Sequence, residues 1–200
     1  MSQPLSHHLL TLAYNNAWAN HRLYKACRQL SRDEFVAPRC SFFPSIKATL
    51  NHLLTVDWFY LQALECELRG EPADEEAGRF FEPQEPFDNA EQLQREQAQS
   101  DRRLIAYCSQ LRDDQLQRYV SIVRPERVPV RVQRDQRLRL LAHLFEHQIH
   151  HRGQVHAMLA ETDVRPPQLD EFFCEEEAHL RAQDFAELGW TEEMIWKVSG

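Results

Sequence analysis

"SIKATLNHLLTVDWFYLQALECELRG" (residues 45–70) is apolar on nearly every side when it is wound as a helix. Ile46, Leu50, Leu53 and Leu64 fall on one stripe and Ala48, Val56, Phe59 and Ala63 on another, at the spacings of three and four that mark a helical period. Pro44 suits a first helical turn, and Gly70 a helix end. A helix with no polar face must be enclosed by others, so the stretch predicts a helical bundle with this segment inside it. Two of its residues need partners in such a place: His52, on the stripe of Ala48, Val56 and Phe59, and Asp57.

The same period extends outward. Leu5, Leu9, Leu12, Ala13, Asn16, Ala17, Asn20, Leu23, Tyr24 and Cys27 predict a first helix over about residues 5–29, and Ser31 with Glu34 forms a capping box for a short turn. Residues 71–88 are acidic, carry Pro72, Pro83 and Pro86, and read as a loop anchored by Phe80, Phe81 and Phe87. Asp88 and Glu91 have capping-box spacing and open a third, more polar helix. In "QRYVSIVRPERVPVRVQRDQ" the period changes, because Val120 and Ile122, then Val128, Val130 and Val132, alternate with polar residues. This predicts a small β-hairpin with solvent-facing arginines. A fourth helix covers about 135–161 and is broken by "RPPQLDEFF"; a further helical segment follows at about 171–187, and Thr191 starts a terminal turn. The expected fold is therefore all-α: a single domain over 1–200, built as a four-helix bundle with a hairpin excursion before helix four and a C-terminal helical extension at about 168–198.

Charge and composition exclude some functions. Asp and Glu number 31 against 23 Lys and Arg, a formal net charge of −8, and such a field repels nucleic-acid backbones. No apolar run approaches the roughly 20 residues that cross a bilayer, and the N-terminus lacks the layout of a secretory signal, so a cytoplasmic protein without membrane or nucleic-acid partners is expected. Cys27, Cys40, Cys66, Cys108 and Cys174 are odd in number, scattered and never in a CxxC pair. That is a reduced set, with Cys27, Cys66 and Cys108 as core fillers.

"EHQIHHRGQVH" (residues 146–156) holds four of the ten histidines. Residues four apart on a helix share one face, so His143 with His147, or His147 with His151, can converge on one cation. Spacing alone leaves both pairs open. Two ligands from one helix rarely hold a transition metal, and His52, on the most apolar helix, is the best candidate for a third.

"YNNAWAN" (14–20), "SIKATLNHLLTVDWFY" (45–60), "HLFEHQIHHRGQVHAML" (143–159) and "PPQLDEFF" after it together resemble the DinB family of helical-bundle metal proteins, over about residues 5–173. The resemblance implies a four-helix bundle of the DinB type whose ion is held by one histidine of helix two and two histidines, four apart, on helix four. Carried onto this chain, the ligands are His52, His147 and His151, with His143, His150 and His156 left as packing or surface residues. Three neutral imidazoles suit a divalent transition metal, Zn²⁺ or Ni²⁺ first and Fe²⁺ next, and three protein ligands leave a coordination position open. Family members include metal-dependent hydrolases and thiol-dependent transferases and isomerases, commonly dimeric. The implied function is an enzyme whose ion activates water or a low-molecular-weight thiol against a small-molecule substrate, in a homodimer; the alternative is a non-catalytic, stress-related or interaction protein that binds the metal.

Other residues carry narrower expectations. Asp57 is expected in a salt bridge with Arg152 or bound to a histidine N–H, and Glu146 is expected to face outward or a subunit contact. Gly153 would permit close helix approach or leave room beside the metal, and Gln154 would orient a ligand or a water. Trp18, Tyr14 and Trp58 read as core, while Phe172, Phe173, Leu180 and Phe185 must bury an apolar side against the bundle or a second subunit.

Overall fold

The computed structural model describes residues 3–124 and 129–197. The chain is mostly helical, with seven α-helices and one two-stranded sheet among the described residues. The four long helices are α1 (Leu5–Cys27), α3 (Ile46–Arg69), α4 (Ala90–Cys108) and α5 (Arg137–Leu159); α2 (Arg32–Val36), α6 (Ala178–Leu188) and α7 (Glu192–Trp196) are shorter. α1 packs on α4 and α5, and α3 packs on the same two helices.

Local chemistry sets the helix ends. Ser31 and Glu34 cap α2 with both bonds of the expected box. Ser45 accepts from the Ala48 N–H at the start of α3, and Gly70 closes that helix at φ +72°, a left-handed conformation that glycine reaches without a Cβ clash. α4 starts one residue later than the Asp88–Glu91 spacing suggests: Asn89 is the cap, accepting from the Gln92 N–H, and Asp88 instead pairs with Lys47 at 2.7 Å. The loop before it contains a 3₁₀ turn at Ala77–Phe81, and Asn51 fixes its end by bonding both the N–H and the C=O of Phe87.

β1 (Tyr119–Arg124) and β2 (Arg131–Gln136) form the expected antiparallel hairpin, in register from Tyr119 opposite Gln136 to Arg124 opposite Arg131. Its tip, with Val128, lies outside the described residues. Arg131 and Arg134 face solvent as expected, whereas Arg124 is half-buried and donates to the Tyr60 hydroxyl at 3.1 Å. β2 runs directly into α5, whose first turn has no side-chain cap. The N–H groups of Arg137 and Leu138 donate instead to the carbonyls of Arg118 and Leu116 at the hairpin base, and the buried Arg137 guanidinium pairs with Glu67 of α3.

Two apolar clusters fill the space between the long helices. One gathers Leu9, Phe59, Leu104, Ile122, Leu141 and Leu144; the other gathers Leu23, Leu50, Leu54, Leu93, Val155 and Leu159. Each long helix gives one half to each cluster, so α1 and α5 run one way and α3 and α4 the other. Fully burying such side chains stabilises by about 1.5–3 kcal/mol each. The C-terminal extension packs onto α1, where Phe172, Phe185 and Ile195 enclose Trp18, while Phe173 and Leu180 stay exposed.

Candidate metal centre

Between the two apolar clusters, at mid-height, every long helix turns polar. On the side where α3 meets α5, His52 from α3 faces His147 and His151 from α5. The Nε2 atoms of His52 and His147 are 3.0 Å apart, and one ligating nitrogen from each of the three rings lies within 4.8 Å of the others. His151 is buried, and His52 and His147 are half-buried.

This environment keeps the rings neutral. Burial, reinforced by His151, pulls His52 down to about 4; burial, reinforced by His151, His52 and His143, pulls His147 down to about 3. Burial also lowers His151, against an opposing hydrogen bond to Gln154. Neutral imidazoles present lone pairs rather than protons, the state a metal ion needs. A divalent ion about 2.0–2.1 Å from each nitrogen would separate its ligands by roughly 3.0–3.4 Å, a spacing that the His52–His147 pair meets at 3.0 Å. His147 Nδ1 is buried with no hydrogen-bond partner among the described residues. The donor set thus fits a divalent transition metal.

Neighbouring residues shape the site. Gln154 Oε1 accepts from His151 Nδ1 at 2.8 Å, which leaves Nε2 as the lone-pair nitrogen and fixes the ring. The Phe43 ring stacks on His52 with centroids 4.2 Å apart. A cavity of about 280 Å³ opens beside them, lined by Phe43, His52, Thr55, Phe81, Gln84 and Glu85. His143 is not in the cluster: its Nε2 lies 3.2 Å from the Tyr60 hydroxyl. His150 contacts Gln154 and is exposed, His156 donates to the Pro167 carbonyl, and Glu146 faces solvent.

The rest of the polar layer was only partly visible in the sequence. Asp57 forms no ion pair with Arg152; its Oδ2 accepts from Gln97 Nε2 at 2.6 Å. Gln97 also donates to Asp101, which accepts further bonds from Asn16 and Asn20. Those two asparagines turn their carbonyls to Arg152, so their amides bridge the guanidinium to the Asp101 carboxylate. All six side chains are buried. Burial pushes Asp57 up to about 6 and Asp101, also repelled by Asp57, up to about 7, while it lowers Arg152 to about 10. Gly153 departs from expectation: it is exposed, and nothing lies within 4 Å of where its Cβ would stand.

One other grouping with metal-ligand chemistry exists among the described residues: His21, Asp184 and Glu187. Cations already serve it, since Arg22 lies 2.7 Å from Asp184 and Lys25 lies 2.7 Å from Glu187, whose carboxyl Lys25, Gln183 and His21 pull down to about 2. This grouping clasps α6 to α1. No helix among the described residues is long and apolar enough to cross a membrane.

Comparison with curated proteins gives no match. The sequence profile of the DinB family matches residues 1–191, a span that contains every element of the histidine cluster. With nearly the whole chain matched and a three-histidine group of the kind a metal-binding protein needs, the chain belongs to the DinB family.

Proposed function

We propose that this DinB-family protein is a metal-dependent enzyme in which His52, His147 and His151 hold a divalent ion, Zn²⁺ or Ni²⁺ before Fe²⁺, on a four-helix bundle of the DinB type formed by α1, α3, α4 and α5. The observation that carries the reading is a cluster of three neutral imidazoles with a cavity of about 280 Å³ at its edge. When bound, such an ion lowers the pKa of a water or thiol and so supplies a nucleophile near neutral pH. The protein's own residues supply the remainder. Gln154 holds the His151 ring in the tautomer that presents Nε2. Phe43 and Phe81 wall the cavity with apolar surface, which limits competing water, and Gln84 and Glu85 offer polar groups at its margin. A small electrophile seated there would lie beside His52. Water and thiol nucleophiles make the same demands on these ligands, so the reaction class is hydrolysis or thiol transfer.

The test begins with metal content. Purified protein is expected to carry about one divalent ion per chain, and His147→Ala to lose it with the helical circular-dichroism signal retained. Loaded protein is then assayed with small thiols plus an electrophile, and separately with ester and amide panels. Wild-type protein without stoichiometric metal, or a His147→Ala variant that keeps it, would remove the basis of the proposal; bound metal with no turnover in either panel would leave the non-catalytic alternative.

A further inference from the structure

The hairpin brings positive charge to the α3–α5 seam that carries the histidines. Arg124, half-buried, stands on the face of β1 that packs against α3, its guanidinium 5.5 Å from the centroid of the Phe59 ring and 5.6 Å from that of Tyr60. Among the described residues its hydrogen bonds go to neutral groups: Nε donates to Gln133 Oε1 and Nη2 to the Tyr60 hydroxyl, each at 3.1 Å. The residue directly opposite in the strand register is Arg131, which is exposed. Opposed residues of an antiparallel pair project from the same face with Cβ atoms about 4.5–5.5 Å apart, and like charges so placed weaken the pair. Asp135 lies four residues along β2 and accepts from Gln133, so it does not come between the two guanidinium groups. An anion shared by them would turn the repulsion into attraction.

Hydrogen-bond direction links this cation to the histidine cluster. A guanidinium only donates, so the Tyr60 oxygen accepts from Arg124 and its own proton goes to His143 Nε2, 3.2 Å away. An imidazole that accepts at Nε2 carries its proton on Nδ1, so the exposed His143 ring offers a donor no more than two hydrogen bonds from the guanidinium. The same ring is centred 6.1 Å from that of His147. Phe81, a wall of the cavity beside His52, packs on Phe59 with centroids 5.2 Å apart, and Phe59 is the ring that Arg124 overlies. The cavity and the cation thus share one run of aromatic surface. A carboxylate suits the arrangement: one oxygen meets the guanidinium and the other the His143 N–H, while Arg131 adds charge from solvent. The Tyr60 hydroxyl, committed to His143, has no proton left for the further oxygens of a phosphate.

We propose that Arg124, with His143 and Arg131, binds the carboxylate of a small anionic substrate whose reacting end lies at the metal centre. The inference deepens the proposed function and rests on it for the reacting end; the carboxylate site itself is read from the hairpin and the seam.

Full-length, metal-loaded protein is titrated calorimetrically with sodium butyrate, and in parallel with butyramide and inorganic phosphate, and the metal content of every sample is measured. Butyrate is expected to bind saturably, phosphate to bind more weakly and butyramide not to bind. Arg124→Gln should keep its metal and weaken butyrate binding by roughly tenfold or more, the usual loss for a hydrogen bond to a charged group. Arg131→Gln, at an exposed position, should weaken it about two- to fivefold, the size of an exposed charge, and carries the test if Arg124→Gln does not fold. Butyrate held by the metal alone would bind folded Arg124→Gln undiminished, and that result overturns the proposal. So does absence of saturable binding to wild type, equal binding of butyramide, phosphate binding tighter than butyrate, or undiminished binding by Arg131→Gln. If wild type carries no metal, the proposed function fails, and titration of the metal-free chain beside Arg124→Gln still decides the carboxylate site.

Discussion

Replacing Asp101 by asparagine is expected to stabilise the protein above pH 7 and to change little near pH 4. In the unfolded chain this carboxyl titrates near 3.8; in the folded protein, burial and the neighbouring Asp57 carry it to about 7. Between those values the folded protein holds a proton that the unfolded chain has released, so stability falls as pH rises through the interval and the loss is complete above the folded value. About three pH units at roughly 1.4 kcal/mol each set an upper figure on the order of 4 kcal/mol. Asp57, itself raised to about 6, shares the proton, and the pair spreads the effect, so about 2–4 kcal/mol is the expected size. The asparagine amide keeps the bonds from Asn16, Asn20 and Gln97 to its oxygen and never ionises. His52 and His147 act in the opposite sense, because their depressed values make stability rise with pH up to about 6.5. The informative quantity is therefore the difference between variant and wild type, from urea unfolding followed by circular dichroism at pH 4.5, 6 and 8. A difference that stays constant over that range, or that grows as pH falls, would refute the account of a strained buried carboxylate.

Other expectations follow from single contacts. Gly153→Ala should raise stability by about 1 kcal/mol in the same unfolding assay, because the position is helical, exposed and has open space at its Cβ. Gln154→Ala should weaken metal retention about 10–100-fold in a chelator competition while leaving the fold intact, since it frees the His151 ring. Arg22 ties Asp184, Glu171 and the carbonyls of Gln168 and Leu180 to α1, so Arg22→Ala should expose residues 165–190 to limited proteolysis before the rest of the chain is cut. Leu144→Ala, at a fully buried position, should cost about 2–5 kcal/mol; a loss below 1 kcal/mol would mean that the cluster around it is not packed as described.

Much of the helical layout was legible because each long helix carries an apolar period, and the capping residues Ser31 and Gly70 act locally; Pro44, expected in the first turn of α3, instead precedes its cap, Ser45. The histidine cluster was legible in part. Helical spacing offered two equivalent pairs, and nothing in that geometry shows that His143 turns to Tyr60 while His147 turns to His52. The family resemblance made that choice. The buried polar layer escaped for a different reason. Gln97 and Asp101 sit on a helix so rich in polar residues that its period does not reveal which polar face is inward, and their partners come from two other helices, α1 and α3. Asn16 and Asn20 lay in plain view on the apolar stripe of α1, but a pair of asparagines gains meaning only once Arg152 and Asp101 stand on either side of it.

The start of α5 bears on how such a chain can change over evolutionary time. No side chain caps this helix; two carbonyls at the hairpin base receive its first N–H groups, and Arg137 locks it to Glu67. The hairpin therefore works as an indexing pin for the helix that carries two of the three histidines. Extra length between the paired strands would leave the junction with α5 in place, whereas a single residue added after Gln136 would rotate everything downstream by about 100°. That rotation would swing His147 and His151 away from His52 and take Arg152 off the two asparagine carbonyls. Length variation among relatives should accordingly spare the junction.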